Sequence, residues 1–291
     1  MRLAFLGPVG TFGEQAAITL MRHEGRRDVD LVPRTGIRAV VEALVARECD
    51  AAVVPVENSV EGGVTASLDA LWQHRELCIR RAVVLPIRHA LLSSGSLETV
   101  SEVLSHPQAL AQCSGWLAEH LPGALQLPTS STAEAARMVA GSRFRAAIAS
   151  PLAGEERGLQ QLAFPINDVA GNCTRFLLLE RGERRYEGHL ASLAFSLHSN
   201  RPGALLEALA VFADRGLNMS RIESRPSKRE LGEYIFFVDL ELGDHRDHQA
   251  GQVAVRDLLD ALSRACETVS CFGVYSTLDL SDQPEADATG A

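Results

Sequence analysis

The chain has 291 residues, 46% of them hydrophobic and 22% charged, and a formal net charge of −9. That composition describes one very large globular domain or two ordinary ones, and the negative charge argues against nucleic acid as a partner. No apolar run is long enough to cross a bilayer, the first one is too short for a signal peptide, and the six cysteines (Cys49, Cys78, Cys113, Cys173, Cys266, Cys271) form no CxxC pair. A cytoplasmic protein with reduced thiols is expected, with no membrane contact, disulfide framework or zinc site. Lys228 is the single lysine, so the preceding residues supply neither a Schiff-base lysine nor a phosphate-loop lysine.

Arg2–Leu6 reads as a first strand, Gly7-Pro8-Val9-Gly10 as a tight loop, and Thr11-Phe12-Gly13-Glu14 as a capping box opening a helix to about Arg22. Strand, glycine loop and helix N-terminus together suit an anion, because free N–H groups and the helix dipole converge there. A capped helix without a ligand fits the same residues, and the dinucleotide pattern GxGxxG is missing. Residues 29–32 read as a strand, and Ile37, Val40, Val41, Leu44 and Val45 give helical spacing to 37–47. The β-branched run 51–56 reads as a buried parallel strand opening into the polar loop Glu57-Asn58-Ser59-Val60-Glu61-Gly62-Gly63. Open α/β sheets bind ligands at the carboxyl ends of such strands, which makes Glu57, Asn58 and Ser59 candidates.

A helix over 65–74 and a strand-like stretch over 78–92, broken at Pro86, lead into a second α/β alternation. It comprises a strand at 100–104, a helix from His106-Pro107-Gln108 to His120, a capping box at Ser131-Thr132-Ala133-Glu134, a strand at 145–149 and a short helix from Pro151. His106, ahead of a proline at a helix start, reads as a cap or hydrogen-bonding residue before it reads as a ligand contact. Next, the turn-prone run from Asn167 to Asn172 leads into Cys173-Thr174-Arg175 and the apolar strand Phe176-Leu177-Leu178-Leu179. A hydroxyl and an obligate cation at the mouth of that strand can donate to a leaving oxygen and hold a carboxylate. A polar turn whose Arg pairs with a surface Asp is the alternative.

Residues 181–189, charged and without periodicity, read as a linker. After it come a strand at 190–198, a helix at 202–213 with Pro202 in its first turn, strands at 219–224 and 234–242, a helix at 253–266 and a strand at 268–275. That is βαββαβ, the ferredoxin-like order. His245-x-x-His248 has metal-like spacing but reads as a solvated loop, so no metal is expected, and 278–291 reads as an acidic disordered tail.

Four stretches, in order, resemble the motifs of the prephenate dehydratase family: Gly7-Pro8-x-Gly10-Thr11-Phe12, Pro55-Val56-Glu57-Asn58-Ser59, His106-Pro107-Gln108-Ala109-Leu110-x-Gln112-Cys113 and Thr174-Arg175-Phe176. The C-terminal part resembles an ACT regulatory domain through Asn200-Arg201-Pro202-Gly203-Ala204-Leu205 and Glu223-Ser224-Arg225-Pro226. Leu206 departs from the β-branched residue common at its place. The resemblance implies an α/β catalytic domain at 1–180, two-lobed and similar to type II periplasmic binding proteins, then the linker and a ferredoxin-like ACT domain at 190–277. It also implies the conversion of prephenate to phenylpyruvate, water and carbon dioxide on the route to phenylalanine, with no cofactor. Arogenate dehydratase and a non-catalytic small-molecule sensor are the alternatives.

On that reading Thr174 assists the departing hydroxyl, Arg175 fixes one carboxylate, and the helix start at Gly10, Thr11 and Phe12 takes the other. Asn58 and Ser59 supply neutral donors, His106 and Gln108 contact the substrate, and Phe176 packs and excludes water. Glu57 is either a second acid or an orienter of Arg175 or a backbone amide. L-phenylalanine is expected as effector at Asn200, Gly203, Ala204, Leu205, Glu223, Ser224, Arg225 and Pro226, with Leu206 adding apolar contact. ACT domains resembling this one pair side by side, so a homodimer or homotetramer is expected.

Overall fold

The computed structural model describes residues 1–245 and 248–282. The chain opens as β1 (Arg2–Leu6), α1 (Phe12–His23), β2 (Asp30–Arg34), α2 (Ile37–Val45), β3 (Ala51–Asn58), the two-residue β4 (Gly62–Gly63), α3 (Thr65–Gln73) and β5 (Leu77–Pro86). It then crosses into a second unit: β6 (Ala90–Ser93), β7 (Glu102–Ser105), α4 (Pro107–Gln112), α5 (Ser114–His120), β8 (Leu125–Pro128), α6 (Thr132–Val139), β9 (Arg145–Ala149), α7 (Pro151–Arg157) and β10 (Gln160–Ala163). It returns as β11 (Cys173–Arg181) and continues as β12 (Gly188–Leu197), α8 (Ala204–Ala213), β13 (Asn218–Pro226), β14 (Tyr234–His245), α9 (His248–Ala265), β15 (Cys266–Tyr275) and β16 (Thr277–Asp279).

Three sheets result. The first runs β16-β5-β11-β3-β1-β2 with β4 folded onto β3; the second runs β10-β6-β9-β7-β8; the third runs β13-β14-β12-β15. The first two are the lobes of an α/β unit that the chain crosses twice, after β5 and before β11. The third is all antiparallel in ferredoxin-like order, as βαββαβ connectivity predicts.

The apolar pattern explains the layering. Ala16, Ala17, Leu20 and Met21 of α1 pack on Leu3, Phe5, Val53, Phe176 and Leu178, one face of the first sheet. The other face carries α2 and α3, and it also takes the open face of the third sheet. Val56, Leu68, Leu71, Ile79 and Leu177 share a single core with Ala194, Ile235, Phe237, Phe272 and Tyr275. Trp72 and Phe237 meet edge to face across that seam, centroids 6.5 Å apart. The helices α8 and α9 cover the third sheet's remaining face. Covered on both sides, β12 is buried without interruption from Leu190 to Ser196, as a near-continuous apolar strand should be.

Several expectations change. The strand expected at 51–56 extends through Glu57 and Asn58, and it is parallel to β1 but antiparallel to β11. Thr174 and Arg175 likewise lie inside β11 and not at its mouth. The stretch 78–92 is two strands in different lobes, because the chain turns at Pro86 into the crossing. The helix expected up to His120 is interrupted at Cys113. Pro202 precedes α8, whose N-cap is Gly203. The linker shortens, since Arg181 ends β11 and Gly188 begins β12. Thr277–Asp279, expected to border and enter a disordered tail, adds a parallel edge strand to β5. Residues 283–291 of that tail, and the middle of the loop between His245 and His248, lie outside the described residues.

Candidate active site

Where the lobes meet, a chain of uncharged side chains links both sheets. Asn58 Nδ2 donates to Thr174 Oγ1 at 2.9 Å and to Asn172 Oδ1 at 2.8 Å, while Asn58 Oδ1 accepts the N–H groups of Val60 and Glu61, each at 3.0 Å. Those two N–H donors fix the amide's orientation, so the NH₂ group must face Thr174. Asn172 Nδ2 donates to Gln112 Oε1 at 3.0 Å, and Gln112 Nε2 reaches Glu61 Oε1 at 3.2 Å. Gln112 Oε1 also meets His89 Nε2 at 3.2 Å. An amide oxygen only accepts, so His89 carries its proton on Nε2. Burial pushes the His89 imidazole down to about 4, against a smaller upward pull from Gln112, and its Nδ1 is buried without a partner. The Phe12 ring stands edge-on to His89, centroids 5.6 Å apart.

Thr174 therefore accepts from Asn58 through its oxygen, which leaves its own O–H available as a donor. Both side chains are nearly buried, 7% and 9% exposed, so the donor is held in one place. Phe176, two residues on, lies on the same face and packs into the α1 core as expected.

Other candidates are placed differently. Ser59 is exposed; its Oγ donates to Gly171 O and accepts the Cys173 N–H at 2.9 Å, so it staples the turn before β11 and is not a free donor. Thr11 Oγ1 caps α1 by accepting from Glu14 N–H, and donates to Leu6 O and Pro8 O. The N–H of Gly10 donates to Glu14 Oε2 at 2.7 Å. The capping box thus closes on itself, and the chain's own carboxylate occupies the anion position expected at Gly10. Gly10 O accepts from Ser150 Oγ of the second lobe at 2.7 Å. His106 caps α4, its Nδ1 accepting from Gln108 N–H at 3.3 Å, and Gln108 is exposed. Neither joins the Thr174 chain, whereas Gln112, one turn further along α4, does.

Arg175 requires the largest correction. Strand alternation turns it to the opposite face of β11 from Thr174. There its Nη2 donates to Glu57 Oε2 at 2.8 Å and to Asp239 Oδ2 at 2.5 Å, with the side chain 12% exposed. Burial would lower its pKa, but Asp239 beside it holds it above the usual value. Both partners of that guanidinium are the protein's own carboxylates, on the side of the sheet away from the Thr174 chain.

The effector candidates divide in the same way. Gly203 sits at φ +85°, a conformation that favours glycine, and begins α8. Asn200 lies beside the turn between β13 and β14, its Nδ2 3.6 Å from where a Cβ on Gly232 would stand. Ala204 is buried, and Leu205 packs inward on the domain's own core, while Leu206 is 70% exposed. Along β13, Ser224 and Pro226 are exposed, while Glu223 and Arg225 point back to the first lobe. Arg225 pairs with Asp69 of α3 at 3.3 Å.

His89, Gln112 and Asn172 are the site residues that sequence reasoning missed. Gln112 lay within a quoted motif and Asn172 in the turn-prone run before Cys173; their spacing from Thr174 and Asn58 carries no period, so only the fold reveals the chain they form. Among the described residues no cluster of His, Cys, Asp or Glu is arranged to hold a metal, and no helix is long and apolar enough to cross a membrane.

Comparison with known proteins agrees with this geometry. A family model described as prephenate dehydratase matches residues 3–184, and one described as an ACT domain matches residues 191–250. A prephenate dehydratase of Amycolatopsis methanolica is 39% identical over 96% of this chain and 89% of its own length. One from Lactococcus lactis subsp. lactis is 36% identical over 97% of this chain and its whole length. The crystal structure of prephenate dehydratase in complex with L-Phe from Arthrobacter aurescens superimposes with a TM-score of 0.83 at 38% identity, covering 95% of this chain and 90% of that one. With a matched catalytic model across both lobes and a matched regulatory model across the ferredoxin-like sheet, this chain belongs to the prephenate dehydratase family, carbon–oxygen lyases that here carry an ACT domain.

Proposed function

We propose that this protein converts prephenate to phenylpyruvate, water and carbon dioxide in phenylalanine biosynthesis, and that the Thr174 hydroxyl assists the step. The observation that carries the reading is the Asn58–Thr174 bond, which occupies the hydroxyl oxygen and leaves the O–H as a fixed donor. As the ring carboxylate leaves as carbon dioxide, its bonding electron pair enters the ring and expels the hydroxyl across it. A donor at that oxygen stabilises the developing charge, an effect typically worth about 10²–10⁴ in rate. The start of α1, with Thr11 and Phe12, borders the cleft through the Phe12–His89 contact. Formation of phenylpyruvate from prephenate by the purified protein, followed by ultraviolet absorbance, is the test. No turnover would end this reading, and a higher kcat/KM on arogenate would reassign the substrate.

L-phenylalanine is the proposed effector, bound by the third sheet beside Gly203 and Ser224. The related complex with L-Phe and the ACT match support it. The edge strand β13, with Ile222 43% exposed, offers a pairing surface for a homodimer or a dimer of dimers. A cytoplasmic location is in keeping with six cysteines that are all free thiols. Light scattering at micromolar protein reads the assembly, and calorimetry at millimolar phenylalanine reads the effector.

A further inference from the structure

Between the third sheet and the first lobe lies a charged cluster that the chemistry above leaves without a role. Asp239 of β14 is fully buried. Its Oδ2 accepts from two guanidiniums, Arg175 Nη2 at 2.5 Å and Arg221 Nε at 2.8 Å, and its Oδ1 accepts from Ser192 Oγ at 2.5 Å. The cluster has two ends. On β11 and β3, Arg175 also holds Glu57. On β13, Arg221 Nη1 reaches Glu223 Oε2 at 3.5 Å.

What the ends are attached to gives the cluster its meaning. Arg175 and Glu57 are cross-strand partners, and the next pair in register is Thr174 and Asn58. So the cluster grips the backbone one residue away from the hydroxyl donor and the amide that orients it. Arg221 and Glu223 are on the strand that continues into Ser224 and Pro226. A buried charge cannot drift from its partners alone, because an uncompensated buried ion is costly. A shift of β13 therefore either carries Asp239 and Arg175 along or is resisted by them.

We propose that Asp239 and Arg221 are positioning residues that carry the effector-dependent state of β13 to the Thr174–Asn58 pair through Arg175 and Glu57. The inference rests on the prephenate and phenylalanine reading above. A second ionic link, from Arg225 and Lys228 to Asp69, joins β13 to α3 through side chains that pair with neither Arg175 nor Glu57. It provides an internal control.

The test measures activity on prephenate against phenylalanine concentration, with calorimetric phenylalanine binding, for the full-length wild type and three variants. Arg221→Met should keep basal kcat within about threefold and still bind phenylalanine, yet lose at least about tenfold in its response. Arg221→Lys should recover part of that response, since a charge returns to Asp239. Asp69→Ala should respond as the wild type does. Should Arg221→Met fail to fold, Ser192→Ala, which removes one neutral donor from Asp239, should still weaken the response about threefold. A responsive wild type with an equally responsive Arg221→Met, or with Ser192→Ala in its place if that variant does not fold, overturns this inference alone. So does an equal loss in Asp69→Ala, which would make the effect one of general docking. A wild type that turns over prephenate but ignores phenylalanine overturns the effector reading and this inference with it.

Discussion

Strand β11 carries two polar clusters back to back, and they are built from opposite materials. On the lobe-facing side, Thr174, Asn58, Asn172, Gln112 and a neutral His89 are linked by hydrogen bonds with no charge until the exposed Glu61. On the other side, Arg175, Asp239, Arg221, Glu57 and Glu223 are acidic and basic side chains paired across a domain seam. The difference follows from what each side must meet. A dianionic substrate would be repelled by carboxylates and trapped by bare cations, so neutral donors of fixed direction suit its reacting end. Paired charges at a seam between packed sheets give it one register, because a slipped seam would strand buried ions.

If that contrast is right, the charged side should govern stability and the neutral side chemistry. Asp239→Ala leaves two buried guanidiniums facing each other and should cost about 3–5 kcal/mol of unfolding free energy in denaturant titration. A loss below about 1 kcal/mol would mean that the seam is not held by this cluster. Thr174→Val keeps the volume and removes the donor. Its kcat should fall at least about a hundredfold with KM little changed and the thermal midpoint close to wild type.

His89 sharpens the contrast through pH. Its pKa of about 4 in the folded chain lies below the ordinary value near 6.5, so the unfolded chain binds the extra proton first. The stabilisation is complete above about pH 6.5 and is lost as pH falls towards 4. Between pH 6.5 and 5 the loss should be about 2 kcal/mol, at 1.36 kcal/mol per unit. His89→Gln should flatten that slope in denaturation measured at both pH values. An unchanged slope would show that His89 takes up its proton equally well in the folded and the unfolded chain. The smallest effect is expected at the lobe contact: Ser150→Ala removes both the cap of α7 and the bond to Gly10 O, and should cost about 1 kcal/mol.

Sequence patterns revealed the elements well where local chemistry decides them. The capping residues Thr11 and Ser131 both accept the N–H that the box predicts, from Glu14 and Glu134. Thr174 and Asn58 stood out because polar residues adjoining buried apolar runs need a reason to be there. Arg175 misled because a strand residue's face is invisible until the sheet is assembled, and its partner Asp239 is 64 residues away. His89 gave no signal at all: a single histidine in a chain crossing has no period and no motif. The strand at Thr277–Asp279 was hidden by its acidic, small-residue surroundings, since its only demand is a vacant edge on β5.

That last strand alters how the regulatory part should be thought of. With β11 leading into it and β16 returning from it to the same sheet, the ACT domain is an insertion between two strands of the catalytic lobe. It is held covalently at both ends, with β11 and β16 flanking β5 on either side. A domain so anchored cannot swing on one flexible tether; the movement open to it is a slide of one packed layer over another. Cutting the chain after the catalytic motifs would also remove β16 and leave β5 as a bare, apolar edge that invites aggregation. Separating the two parts cleanly requires a cut that keeps β16 with the first lobe.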